Sequence, residues 1–92
     1  MKGEPSIKEI YNSAYETAET LLRKKVDSIV CINKEGDLWI VETEVLERKS
    51  VPDTQDILGR YQMEFGSDGE LHGYSRVLLR RRSEKEAQRE EV

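Results

Sequence analysis

The chain is poor in the residues that most often carry chemistry. It has one cysteine, Cys31, and one histidine, His72, among 92 residues. A lone thiol excludes an intramolecular disulfide and any multi-cysteine metal site, and it fits a reducing compartment. A lone imidazole needs companions to act as base or ligand, and around His72 the sequence offers only Asp68 and Glu70. No apolar run approaches the ~20 residues of a membrane span. The opening MKGEPSIKEI is charged and broken by proline, unlike the apolar region of a signal peptide. There is no basic excess either: 15 basic and 19 acidic residues give a formal charge of −4. Nucleic-acid binders usually carry a basic footprint, and this chain as a whole does not. The expectation is a soluble cytoplasmic protein that needs no cofactor or metal and takes no small-molecule substrate.

What is present is periodic. Hydrophobic residues make up 36% and charged residues 37%, polar for a globular chain, yet the apolar residues fall in ordered blocks. A chain of this size buries only about 60–65% of its unfolded surface, so its core is thin. Residues 6–25 read as one amphipathic helix. Ile7, Ile10, Tyr11, Ala14, Tyr15, Ala18, Leu21 and Leu22 form a stripe at helical spacing. Ser6 and Glu9 make a capping box, and Arg23, Lys24 and Lys25 fall in the expected last turn.

Four strands follow. VDSIVCIN, residues 26–33, is β-branched and short. After the turn at NKEGD, LWIVETEVLER alternates, with Trp39, Val41, Thr43 and Val45 on one face and Glu42 and Glu44 on the other. After the Pro52 corner, ILGRYQMEF places Ile57, Gly59, Tyr61, Met63 and Phe65 opposite Leu58, Arg60, Gln62 and Glu64. The glycine-bearing turn GSDGE leads to LHGYSRVLLRRR, where Leu71, Val77 and Leu79 face one way, Tyr74 and Leu78 the other, and Gly73 marks a bulge or close approach. The sum is an α+β fold: one N-terminal helix packed on a four-stranded antiparallel meander. Trp39, Val41, Val45, Ile57, Tyr61, Met63 and Phe65 are expected to meet the helix stripe. Residues 1–5 read as a flexible N-terminus, 6–82 as one domain, and 83–92 as a charged tail, frayed or briefly helical.

The second half of the chain resembles the gas vesicle protein O family. The resemblance rests on a Trp before VETEVLER, then VPDTQDILGRYQMEF, then DGELHGYSRVLLRR, in that order across residues 36–82. It departs at Gly59, where the pattern more often has alanine, and at Ser75. Such a resemblance implies an accessory or assembly protein of gas vesicles, the gas-filled protein compartments that give microbes buoyancy. It implies other gas vesicle proteins as partners and association with the vesicle, and it supplies no catalytic residue or cofactor.

The candidate sites are few. Glu42, Glu44 and Glu47 form an acidic run able in principle to hold a divalent cation or act as acid and base. The plainer reading is a solvated sheet face paired with Arg60 and Arg76. Cys31 reads as a sheet or core thiol, and Tyr11 and Tyr15 as core or rim residues. An uncovered part of the helix stripe would mark a partner surface. The expected interaction surface is Glu42, Glu44, Arg60, Glu64, Arg76 and Arg80, on an outer sheet face beside an edge strand. An edge strand could also pair two copies. The rival reading is a small regulatory nucleic-acid-binding protein using Arg76, Arg80, Arg81 and Arg82, with Tyr74 for stacking. The acidic tail would partly neutralise that cluster, and the accessory-protein reading is favoured.

Overall fold

The computed structural model describes residues 4–84. Helix α1 spans Ile7–Thr17 and continues as a π-helical turn over Ala18–Leu22. Strands β1 (Val26–Glu35), β2 (Leu38–Arg48), β3 (Ile57–Phe65) and β4 (Leu71–Arg81) follow, with a single 3-10 turn at Asp53–Gln55 between β2 and β3. The strands lie in the order β1-β2-β3-β4, each antiparallel to its neighbour. That is the expected meander, and the α+β class follows from it. The expected tail over residues 83–92 lies outside the described residues except for Ser83 and Glu84.

Local chemistry starts and stops each element. The Ser6 hydroxyl accepts from the Glu9 amide at 3.2 Å, and the Glu9 carboxylate accepts from the Ser6 amide at 2.8 Å. Two orphan donors of the first turn are thereby satisfied. At the other end the Arg23 and Lys24 amides both donate to the Ala18 carbonyl. Arg23 closes the turn at φ 59°, in the left-handed region. The helix therefore stops at Leu22, and Arg23–Lys25 lie beyond it rather than in its last turn. Gly36 at φ 62° makes the two-residue hairpin between Glu35 and Leu38. Gly69 at φ 86° serves the turn before β4.

The core lies between the helix and one sheet face. Ile10, Ala14 and Ala18 meet Val26, Trp39, Val41, Val45, Tyr61, Met63 and Phe65. Thr43 is also buried there and donates to the Met63 sulfur at 3.8 Å. The alternation read from β2 and β3 is the one that forms, with one exception. Ile57 pairs with Arg81 and Arg48 at the end of the sheet and stays outside this cluster. The buried helix face is narrower than the expected stripe. Ile7, Tyr11, Tyr15 and Leu21 are exposed, and Leu22 is half-buried. A single straight helix on a slender sheet buries its small residues at closest approach and leaves the flanks wet. The π turn inserts a residue and rotates Leu21 off the stripe.

Strand β4 departs most from expectation. Register shifts between Arg60 and Tyr61 and between Glu64 and Phe65 leave Val77 and His72 as extra residues opposite β3. The second bulge is at His72, beside Gly73 rather than on it. Each extra residue reverses the alternation. Tyr74 therefore opposes Met63 on the helix side, and its ring lies 6.3 Å from that of Tyr61. Leu79 opposes Gly59 on the same side, and Leu78 opposes Arg60 on the other. The helix lies chiefly over β1 and β2, so Tyr74, Val77 and Leu79 remain exposed.

Candidate functional site

The helix-free face of the sheet carries the densest set of charged side chains. Glu44 of β2 opposes Arg60 of β3, and both are only 2% exposed. Arg60 donates through Nη2 to Glu44 Oε2 at 3.0 Å and through Nε to the same oxygen at 3.3 Å. Arg80 of β4 grips both carboxylate oxygens, Nε to Oε2 at 2.8 Å and Nη2 to Oε1 at 2.7 Å. Glu42 lies 3.6 Å from the Arg60 Nη1. Burial pushes the Glu44 carboxyl up, but hydrogen bonding and charge from Arg80, and then Arg60, hold it below the usual carboxylate range. The same bonds raise Arg80 above the ordinary arginine value.

This geometry corrects part of the sequence reading. The outer face is not uniformly wet: Glu44 and Arg60 are buried on it, and Leu58 beside them is 1% exposed. Glu42, Glu64 and Arg80 on this face are half-buried. Arg76 is on the other face, opposite Tyr61, because the bulge at Val77 turns it there. Glu47 is also displaced. A register shift between Leu46 and Arg48 leaves it as an extra residue of β2. It turns to the helix side, where its Oε2 accepts from the Tyr61 hydroxyl at 2.9 Å and its Oε1 lies 3.4 Å from Lys24 Nζ. Burial and then Glu47 push the Tyr61 hydroxyl above its ordinary pKa. Gly59 makes room for this carboxylate, because a Cβ there would lie 2.8 Å from Glu47 Cγ.

A second cluster, which the sequence reading did not assemble, closes the far end of the sheet. Asp56 is buried and accepts from the Ser50 amide at 2.7 Å and from Arg82 Nη2 at 3.1 Å. The Ser50 amide is the largest influence holding its carboxyl below the usual range. Arg82 also reaches Asp27 at 2.9 Å. Its bonds to Asp27 and Asp56 raise it in turn. The sequence signal was available in Pro52-Asp53 turn chemistry, but the pairing spans 55 and 26 positions and no local pattern encodes it.

The arginine triplet is thus engaged by carboxylates: Arg80 by Glu44, Arg81 by Glu84 at 3.5 Å, and Arg82 by Asp27 and Asp56. It does not form an open phosphate-binding patch. Among the described residues no three His, Cys, Asp or Glu side chains are gathered as metal ligands, and no helix is long and apolar enough to cross a membrane. A hollow of about 980 Å³ lies open between the helix start and the β3–β4 turn and is lined by Glu4, Glu9, Asn12, Ser13 and Asp68, among others. All three of its carboxylates are already bound: Glu9 caps the helix, Asp68 accepts from the Glu70 amide at 3.0 Å, and Glu4 accepts from the Lys34 ammonium at 2.6 Å. His72 is exposed with its ring against Gly66, and Cys31 is half-buried opposite Glu42.

Comparison with known proteins gives a consistent result. A family model described as "Gas vesicle synthesis protein GvpO" matches residues 2–86. "Gas vesicle protein O" of Haloferax mediterranei is 39% identical over 72 residues, which cover 77% of this chain and 51% of that protein. "Gas vesicle protein O1" of Halobacterium salinarum is 35% identical over 71 residues, 77% of this chain and 60% of its own. "Gas vesicle protein O" of a Streptomyces species is 35% identical over 73 residues, 79% of this chain and 57% of its own. The chain thus matches between half and three fifths of the length of these curated relatives. No solved structure matches.

Proposed function

We propose, from the premise that this chain belongs to the gas vesicle synthesis protein GvpO family, that it works in gas vesicle formation as a non-enzymatic accessory protein. It acts by holding other gas vesicle proteins against its helix-free sheet face. The family match over residues 2–86 carries the gas vesicle assignment. The geometry supports contact as the mode of action. A rigid ion network of Arg60, Glu44 and Arg80 sets the position of a partly exposed row made by Glu42, Gln62 and Glu64. Glu42 and Glu64 give that row a negative sign, complementary to a basic surface on the partner. Arg60, Glu44 and Arg80 act as its foundation, and Arg76, on the opposite face, lies outside it. The nucleic-acid reading loses support, because the arginines it needs are already paired with carboxylates on the same chain.

The test reverses the two partly exposed carboxylates and leaves Glu44, Arg60 and Arg80 in place. Glu42→Lys with Glu64→Lys should leave the circular dichroism spectrum unchanged. In cells that express a gas vesicle gene cluster, it should abolish co-purification with the other vesicle proteins and reduce vesicle yield. A double variant that folds, co-purifies and supports normal yield would rule this face out.

A further inference from the structure

We infer that the shallow notch over Gly73 is the seat of a single lysine side chain of the partner protein, with Glu64 as its counter-ion. The inference rests on the contact role proposed above and names the chemistry that the partner brings to it. On the helix-free face Glu64 of β3 opposes Gly73 of β4, and Gln62 opposes Ser75. These residues, together with Tyr74, line a hollow of about 180 Å³. A glycine inside a strand weakens it and often marks a place where something else approaches closely. At Gly73 the fold itself gives no reason for the glycine. Its φ is not in the left-handed region, unlike those of Gly36 and Gly69, and a Cβ built there would meet nothing within 4 Å. The space is open, and it lies in the last strand of the sheet, where no further strand blocks the way in.

The unspent charge says what fits. Glu64 is half-buried, and among the described residues no donor or cation reaches its carboxylate. Glu42, the other acid of the row, already lies 3.6 Å from Arg60 Nη1. Across from Glu64 on β2 stands Ile40, whose side chain has no donor to offer. Glu64 therefore keeps its charge for an incoming cation. The Gln62 side-chain carbonyl and the Ser75 hydroxyl add neutral acceptors at the same notch, and neither is engaged by the described residues. A lysine ammonium matches this set: it is a compact charge with several N–H donors and no acceptor, carried on an apolar stem. The stem lies over Gly73 and the head reaches Glu64. An arginine fork is broad and planar and seeks both oxygens of a carboxylate edge-on, for which a notch one glycine wide has little room. Calcium takes roughly six to eight oxygens, more than this carboxylate, amide and hydroxyl supply.

Gly73→Val closes the notch without changing charge, and valine suits a strand. The variant should keep its circular dichroism spectrum and melt no lower than the unmodified chain. In cells that express a gas vesicle gene cluster, its co-purification with the other vesicle proteins should fall about ten- to a hundredfold, the worth of a hydrogen bond to a charged group. Glu64→Gln should weaken co-purification as much, and Glu42→Gln far less. A carbodiimide joins a carboxylate to an amine in direct contact. In the complex of the unmodified chain it should link Glu64 to a lysine of a gas vesicle protein, read by mass spectrometry of the joined peptides. That measurement decides the matter whatever the stability of the variants. The two proposals fail separately. If Glu42→Lys with Glu64→Lys abolishes co-purification but a folded Gly73→Val retains it, the face stands and the notch is not its anchor. Links at Glu42 in place of Glu64, or no link at Glu64, likewise overturn the inference alone. If the unmodified chain brings down no gas vesicle protein, both fall.

Discussion

Glu44 shows how strongly one side chain can depend on its neighbours. Two arginines converge on a carboxylate that is almost fully removed from water. Removing one member of a buried pair leaves the other charge uncompensated, at about 3–5 kcal/mol, whereas replacing both with apolar residues of similar volume is often neutral. Glu44→Gln should therefore lower unfolding free energy by about 3–5 kcal/mol in urea titration, while Glu44→Leu with Arg60→Met should recover most of it. A double variant as unstable as the single one would show that the network does more than compensate its own burial. The sequence made the pairing of Glu44 with Arg60 legible, since both lie on the even face of alternating strands. It did not make their burial legible. Alternation assigns a side chain to a face but says nothing about what folds over it, and here Arg80 arrives from 36 positions away to cover Glu44.

Among the elements, β2 and β3 were read with the right faces because nearly every residue in them obeys a period of two. β4 was not, because two extra residues reverse its phase twice, and only Gly73, next to the bulge at His72, marks either of them. The helix was overextended for a similar reason: Leu21 and Leu22 continue the apolar spacing, but the backbone widens at Ala18 and ends on Arg23. A non-glycine residue in the left-handed region costs roughly 1–2 kcal/mol. Arg23 is exposed there, so little packing is lost on replacing it. Arg23→Gly should raise the unfolding free energy by about 0.5–1 kcal/mol, net of the added freedom of the unfolded chain. A thermal melt reads the change, and a fall in stability would mean that the arginine side chain contributes more than its backbone costs.

The whole molecule is a thin plate, 50 × 34 × 19 Å, with one apolar layer and carboxylate–arginine clusters on the opposite face and at one end. Its response to acid follows from the direction of two shifts. Glu44 and Asp56 titrate below their ordinary values of 4.5 and 3.8 when folded. The native state therefore binds fewer protons than the unfolded chain, and these carboxylates contribute stability above those values that is lost as pH falls through the folded ones. Denaturant midpoints should hold from neutral pH to about pH 5 and then decline, with a shallower acid limb in Asp56→Asn. A flat profile through the acid range would show that neither cluster is coupled to folding.

The chain has a single tryptophan, and Trp39 lies in the layer between helix and sheet, 9% exposed, with the Lys34 ammonium 5.6 Å from its ring. Its ultraviolet emission therefore comes from one known place. Detachment of the helix would redden that light even while the strands kept their far-ultraviolet signature, so a spectrometer can time the two layers separately without any added dye.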